Sequence, residues 1–190
     1  GIEAISDMAR RLGCGVEHDM PLSAVARGLA PTMSWKRINR GADWVVGDTL
    51  NDSIGQGFVL ASPLQLAVMT ARLATGRAVA PRVVRSINGI EQRAGTPTDL
   101  GTACNARVES ESLAIAGKTG TSQVRNITAA EREEGVTANE DLPWERRDHA
   151  LFVGYAPFEA PRYACSVVVE HGGGGAAVAA PIARDLLLRT

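Results

Sequence analysis

Gly117-Lys118-Thr119-Gly120-Thr121-Ser122-Gln123-Val124 is the run whose reading decides the fold. Two interpretations compete for it: the tail of a phosphate-binding loop opening a helix, or a polar strand. The phosphate loop needs a glycine five residues before its second glycine, where this chain has Ser112, and it needs a helix after the threonine. Gly120 to Val124 continues instead in strand-forming residues. In a strand, side chains alternate, so Thr119 and Thr121 face one side. Glycines at 117 and 120 let another backbone approach closely. Two hydroxyls and an ammonium along one edge can hold a carboxylate through charge-assisted hydrogen bonds, and strand N–H groups can serve an oxyanion. Lys118, Thr119, Gly120 and Thr121 are therefore the candidate site residues.

Working outward, Leu113–Val124, His149–Ala156 and Tyr163–Glu170 are expected as strands, with Pro157–Arg162 linking the last two as a hairpin. Ala177–Leu188 is expected as a helix after Gly172–Gly175, a run read as a flexible turn in preference to an anion-binding helix start. Strands followed by a helix predict an α+β arrangement, an antiparallel sheet flanked by helices. Residues 125–148, with Glu131, Arg132, Glu133, Glu134, Glu140 and Asp141, are expected as a long exposed loop. Arg146-Arg147-Asp148-His149 reads as a solvated lead-in with His149 at the sheet margin.

Toward the N-terminus, Ile2, Ile5, Met8 and Leu12 predict one apolar helix face, ended by Gly13 and Gly15. Pro21–Leu29 is expected as a short helix. Residues 32–57, holding Trp35, Trp44, Lys36, Arg37 and Arg40, are expected as a structured loop. Ser62 as N-cap and Pro63 in the first turn predict a helix through Leu66, Met69, Thr70 and Leu73 to Gly76. Val79–Ile87 reads as β-like and residues 88–102 as turn-rich.

With 190 residues, 45% hydrophobic and 22% charged, the composition is that of one globular domain or a large part of one. A net charge of -1 argues against a nucleic-acid surface. No apolar run approaches the ~18 residues that a membrane helix needs. Cys14, Cys104 and Cys165 are scattered and read as buried or incidental thiols. His18, His149 and His171 are equally dispersed, without metal-ligand spacing, so no metal or cofactor is expected. The opening Gly-Ile-Glu, already in helical register, is read as the interior of a longer protein.

Gly55-Gln56-Gly57-Phe58, Ser62-Pro63-Leu64-Gln65, Gly117-Lys118-Thr119-Gly120-Thr121 and Gly154-Tyr155-Ala156-Pro157 follow one another in this order. The set resembles the transpeptidase domain of class B penicillin-binding proteins. Trp35-Lys36, Trp44, Gly47-Asp48-Thr49, Arg147-Asp148-His149-Ala150 and Glu170-His171-Gly172-Gly173 resemble its elongation-type branch, the penicillin-binding protein 2 group. The resemblance implies the penicillin-binding and serine β-lactamase-like fold, with residues 1–190 as the C-terminal part of one transpeptidase domain. The nucleophile-bearing part, pedestal and membrane anchor would be absent.

It also implies peptidoglycan cross-linking through a serine acyl-enzyme, with D-Ala-D-Ala stem peptides and β-lactams as ligands. Other elongation-machinery membrane proteins would be partners, and the site of action the periplasmic face of the inner membrane. Lys118 would supply positive potential and hydrogen bonding near the nucleophile. Thr119 and Thr121 would bind the substrate carboxylate, the Thr121 N–H would form half the oxyanion hole, and Gly120 would keep the edge open.

Three departures from the family pattern stand out. No serine has lysine three residues later; Ser34 has Arg37. Ser86-Ile87-Asn88 fits Ser-x-Asn only as a string, because it follows Gly55-Gln56-Gly57, and it reads as a strand end. Gly89–Gly101 is a short polar link where the family has a further helical segment. The nucleophile, its lysine and the true Ser-x-Asn are thus expected before Gly1, and the 190 residues alone are expected to be inactive. A D,D-carboxypeptidase or β-lactamase, and a non-catalytic scaffold derived from a transpeptidase, are the alternatives.

Overall fold

Gly13 ends the first helix, α1 (Ile2–Leu12), by adopting φ 102°, a left-handed conformation that glycine takes without steric cost. The structure is a computed structural model that describes residues 1–93, 95–100, 115–125, 127, 131, 133 and 135–189. Contacts divide it into two units, Gly1–Arg107 and Val108–Thr190. Cys104 and the loop residues Arg132 and Glu134 lie outside the described residues.

In the first unit, α1 buries Ile2 and Ser6, whereas Ile5 and Met8 are 37% and 38% exposed. The expected Ile2-Ile5-Met8-Leu12 face is corrected by one step around the helix. The reason is polar: the Ser6 hydroxyl donates to Pro31 O, which pulls the small residue inward.

Two helices replace the loop expected over residues 32–57. Helix α2 (Met33–Arg40) starts where Thr32 Oγ1 accepts the Trp35 N–H at 3.0 Å and ends at Gly41, φ 63°. Helix α3 (Val46–Ser53) starts where Asp48 Oδ2 accepts the Val45 N–H at 2.8 Å. Lys36 on α2 donates to the same Asp48 oxygen at 2.5 Å. Phe58 packs against Trp35 and Trp44, with ring centroids 5.4 and 6.1 Å apart. Caps and this aromatic cluster hold helices too short to be stable alone.

Helix α4 (Pro63–Thr75) carries a reciprocal cap between Ser62 and Gln65 and stops at Gly76, φ 68°. Gln65 is fully buried, and its Nε2 donates to Val16 O at 2.8 Å and Arg27 O at 2.6 Å. That capture overturns the short helix expected over Pro21–Leu29. The Arg27 carbonyl belongs to Gln65, Gly28 sits at φ 62°, and Leu29 exchanges backbone bonds with Leu60. The segment is therefore extended at its end.

The strand expected over Val79–Ile87 shrinks to β1 (Ser86–Ile87), which pairs with β2 (Ile90–Glu91) across Asn88-Gly89, both at positive φ. Arg72 Nε takes the Val79 carbonyl, and Pro81 offers no N–H, so the stretch before Ser86 builds no ladder. Ser86-Ile87-Asn88 is a strand end, as its position in the sequence predicts.

The second unit is a three-stranded antiparallel sheet in the order β3-β4-β5: β3 (Ala116–Ser122), β4 (His149–Ala156) and β5 (Tyr163–Val169). Of the strand expected over Leu113–Val124, residues 113 and 114 lie outside the described residues. A π-helical turn (Gly175–Ala179) packs on β3 and β4, and α5 (Ala180–Leu188) packs on β4 and β5. Ala150, Ala179 and Ala183 are fully buried between sheet and helix, where only small side chains fit. Across residues 135–148 the backbone forms two 3₁₀ turns, Asn139–Asp141 and Trp144–Arg146, with no buried side chain in either.

Gly172–Gly175 is not the slack turn that was expected. Gly175 is buried, and a Cβ there would stand 2.4 Å from Gly120 O and 2.5 Å from Leu151 O. The glycine is required by close approach to the sheet.

Candidate functional site: the open edge of β3

Among the described residues β3 pairs with β4 alone, which makes it an edge of the sheet. The register sets Lys118 opposite Val153, Thr119 opposite Phe152, Gly120 opposite Leu151 and Thr121 opposite Ala150. All four predicted site residues thus lie in sequence along a free rim. An edge strand leaves alternate N–H and C=O groups without a ladder partner, and these are the donors and acceptors that an extended ligand would meet.

Alternation divides the rim into two faces. Thr119 and Thr121 share a face with Gly117 and Phe152, and Phe152 lines a cavity of ≈ 570 Å³ with Ala176, Ala180 and Pro181 of the closing segment. Lys118 and Gly120 belong to the opposite face. The ammonium and the hydroxyls therefore meet only at the rim. Lys118 is exposed and its Nζ donates to Thr119 O at 2.6 Å.

Gly117 and Gly154 are register partners, and both make room for one ring. A Cβ at Gly117 would stand 2.2 Å from Phe152 Cζ, and one at Gly154 2.6 Å from Phe152 Cε1. The expectation that Gly117 admits a ligand backbone is corrected: it admits Phe152. At Gly120 a Cβ would meet only Leu151 Cβ, at 3.5 Å.

Sequence reasoning treated the histidines as dispersed, but the fold brings two together beside this strand. His149, partner of Ser122 at the end of β3, accepts the His171 backbone N–H on Nδ1 at 2.9 Å. The His171 Nδ1 lies 2.9 Å from Arg147 O, and the rings are 4.8 Å apart. Trp144 packs on His171 at 4.5 Å. Asp148 Oδ1 accepts the Val124 N–H at 3.2 Å, its own N–H donates to Asn139 Oδ1 at 3.0 Å, and its carbonyl accepts from Gly173 at 2.8 Å. The lead-in to β4 is therefore clamped rather than solvated. Only its spacing from His171, 22 residues on, could have hinted at this, and spacing alone does not pair residues.

Neither described cysteine is a nucleophile candidate. Burial pushes the Cys14 and Cys165 thiols up, away from the thiolate that a nucleophile needs. Among the described residues no group of three or more His, Cys, Asp or Glu side chains could hold a metal ion.

Among the described residues the β3 rim carries Lys-Thr-Gly-Thr, and the π-helical turn before α5 packs on that strand. The chain belongs to the family described as penicillin binding protein transpeptidase domain, which it matches over residues 1–188. It is 34% identical to the peptidoglycan D,D-transpeptidase MrdA of Acinetobacter baumannii over 96% of its own length, and spans 30% of that relative. The crystal structure of Pseudomonas aeruginosa PBP2 in complex with WCK 5153 aligns over 97% of this chain, and 42% of that one, with TM-score 0.74 and 32% identity. PBP2 of Helicobacter pylori, solved in complex with MreC, aligns over 92% and 33% with TM-score 0.71 and 30% identity.

Proposed function

We propose that the chain is the C-terminal part of one transpeptidase domain in an elongation-type peptidoglycan D,D-transpeptidase. The observation that carries this reading is the free β3 rim bearing Lys118, Thr119, Gly120 and Thr121 in a chain of that family. The reaction is acyl transfer through a serine ester: the serine hydroxyl attacks the carbonyl of the D-Ala–D-Ala bond, the terminal D-Ala leaves with the hydroxyl proton, and a second stem's amine takes the acyl group and frees the serine. β-Lactams acylate the same serine.

Thr119 and Thr121 hold the substrate carboxylate, the Thr121 N–H gives one oxyanion donor, and Lys118 supplies positive potential beside the nucleophile. Gly120 leaves the rim clear for the substrate backbone. The serine, its lysine and a Ser-x-Asn lie N-terminal to Gly1 in the parent, because no serine here has a lysine three residues on. The parent works at the periplasmic face of the inner membrane. The MreC-bound relative supports a partner of that kind among the elongation proteins.

Labelling with fluorescent penicillin tests the reading. The full-length parent should form a covalent adduct and Lys118→Ala should depress its rate. The 190 residues alone should stay unlabelled, and an adduct on them would overturn the upstream placement of the serine. Cross-linked dimers from pentapeptide substrates separate this activity from hydrolysis.

A further inference from the structure

We infer that His149 is a positioning residue for the Lys-Thr-Gly rim, acting only while its imidazole is neutral; this rests on the reading of that rim as the substrate site. The hydrogen bonds fix both tautomers. A backbone N–H can only donate, so His149 Nδ1, which receives the His171 N–H, carries a lone pair. A carbonyl can only accept, so His171 Nδ1, facing Arg147 O, carries the proton.

Acid therefore acts on the two rings differently. His171 can take a second proton on Nε2 and keep its bond to Arg147. His149 can take one only at Nδ1, where the His171 N–H already points. Protonation at Nδ1 replaces that bond with two donors facing each other, so the contact belongs to the neutral ring.

The loss reaches the rim through three residues. Arg147, Asp148 and His149 are held on one side by the turn at His171 and Gly173, and on the other by Val124 and Ser122 at the end of β3. Thr121 is the residue before Ser122. His171, φ 54°, holds a left-handed conformation that a non-glycine residue keeps only under constraint. The bond to His149 is one of its constraints. The charged and titratable groups on the elements around His149 are His171 and Glu170 on the turn, Arg147 and Asp148 beside it, Glu140, Asp141, Glu145 and Arg146 on the 3₁₀ turns, Lys118 on β3 and Arg125 past it. Arg147 is engaged by the Leu142 and Glu140 carbonyls and Asp148 by Val124, so the bond to His171 is the one that Nδ1 protonation removes.

Hydrogen exchange on the full-length protein tests this, with peptides covering residues 119–125 and 170–174, between about pH 5 and 8, where imidazoles take up protons. His149→Asn keeps an acceptor near Nδ1 that does not protonate. Wild type should lose protection in both peptides by about two- to tenfold as pH falls, the value of one net hydrogen bond. His149→Asn should stay flat, and His149→Ala should be low throughout. Flat wild-type protection, or a parallel fall in His149→Asn, overturns the proposal; so does a fall confined to 170–174. The penicillin acylation rate should follow the same pattern, and coinciding profiles for wild type and His149→Asn would also overturn it. A full-length protein that takes no penicillin at any pH would sink the transpeptidase reading instead, leaving the exchange result standing.

Discussion

Gly175 touches Gly120 backbone to backbone: a Cβ on Gly175 would lie 2.4 Å from Gly120 O, well inside any real contact. The closing segment thereby sets the position of the strand that carries the site. Gly175→Ala has no flexible side chain to push aside, only the Gly120 and Leu151 backbone, so the sheet backbone must give way. The penicillin acylation rate should fall by at least tenfold, a shift of about 1.4 kcal/mol. Gly174→Ala, which would meet nothing within 4 Å, should leave the rate near wild type. Equal rates for both variants would refute the coupling.

If, as proposed, Thr119 and Thr121 hold a carboxylate, Thr121→Val should cost about 1.5–3 kcal/mol of binding, a charged hydrogen bond, while Thr121→Ser retains most of it. The measurement is the concentration of penicillin giving half-maximal acylation rate. A Val variant as good as Ser would remove Thr121 from the site.

Gln65 is the buried hub of the first unit, bonded to Val16, Arg27 and Ser62. Gln65→Leu keeps the bulk but leaves two carbonyls without their donor. Destabilisation of about 2–4 kcal/mol is expected, combining two unsatisfied groups with a lost cap. A denaturant midpoint unchanged from wild type would contradict the role.

Asp52 and Asp48 respond to acid in opposite senses. Burial pushes the Asp52 carboxyl up, with Oδ2 buried and unpartnered, while the Lys36 ammonium and the Val45 N–H hold Asp48 down. A raised carboxyl stabilises the fold below its unfolded value, near 3.9, and that contribution is lost as pH rises through its higher folded value. A lowered carboxyl stabilises above the unfolded value, and its contribution is lost as pH falls through its lower folded one. Asp52→Asn should therefore raise the melting temperature at pH 7, and the gain should shrink toward pH 4. Asp48→Asn should lower it at pH 7. A gain for Asp52→Asn that is the same at both pH values would exclude burial of its charge as the cause.

Legibility in the sequence followed the range of the forces involved. Helix α4 was readable because Ser62, Pro63 and Gly76 act on their own neighbours. Strands β4 and β5 were readable because apolar runs and a Pro-bounded link are local signals. Helices α2 and α3 were missed: each has eight residues, and they are set by Thr32, Asp48 and a Lys36 ion pair rather than by periodicity. Pro21–Leu29 was misread because its conformation is imposed by Gln65, 38 residues beyond Arg27. The rim residues were named correctly as a strand segment, but their division between two faces, and the part played by Phe152, needed the register.

Lys118 has a second consequence, for what the free rim of β3 refuses. An unpaired strand accepts any extended chain, including its own copy. Two copies pairing antiparallel about Lys118 would bring ammonium against ammonium, a like-charge pair that disfavours the match. A chain ending in an anion meets the same lysine as attraction. On the proposed reading, one side chain would sort guests by sign, disfavouring sibling molecules and favouring acidic ends at an edge that has to stay bare.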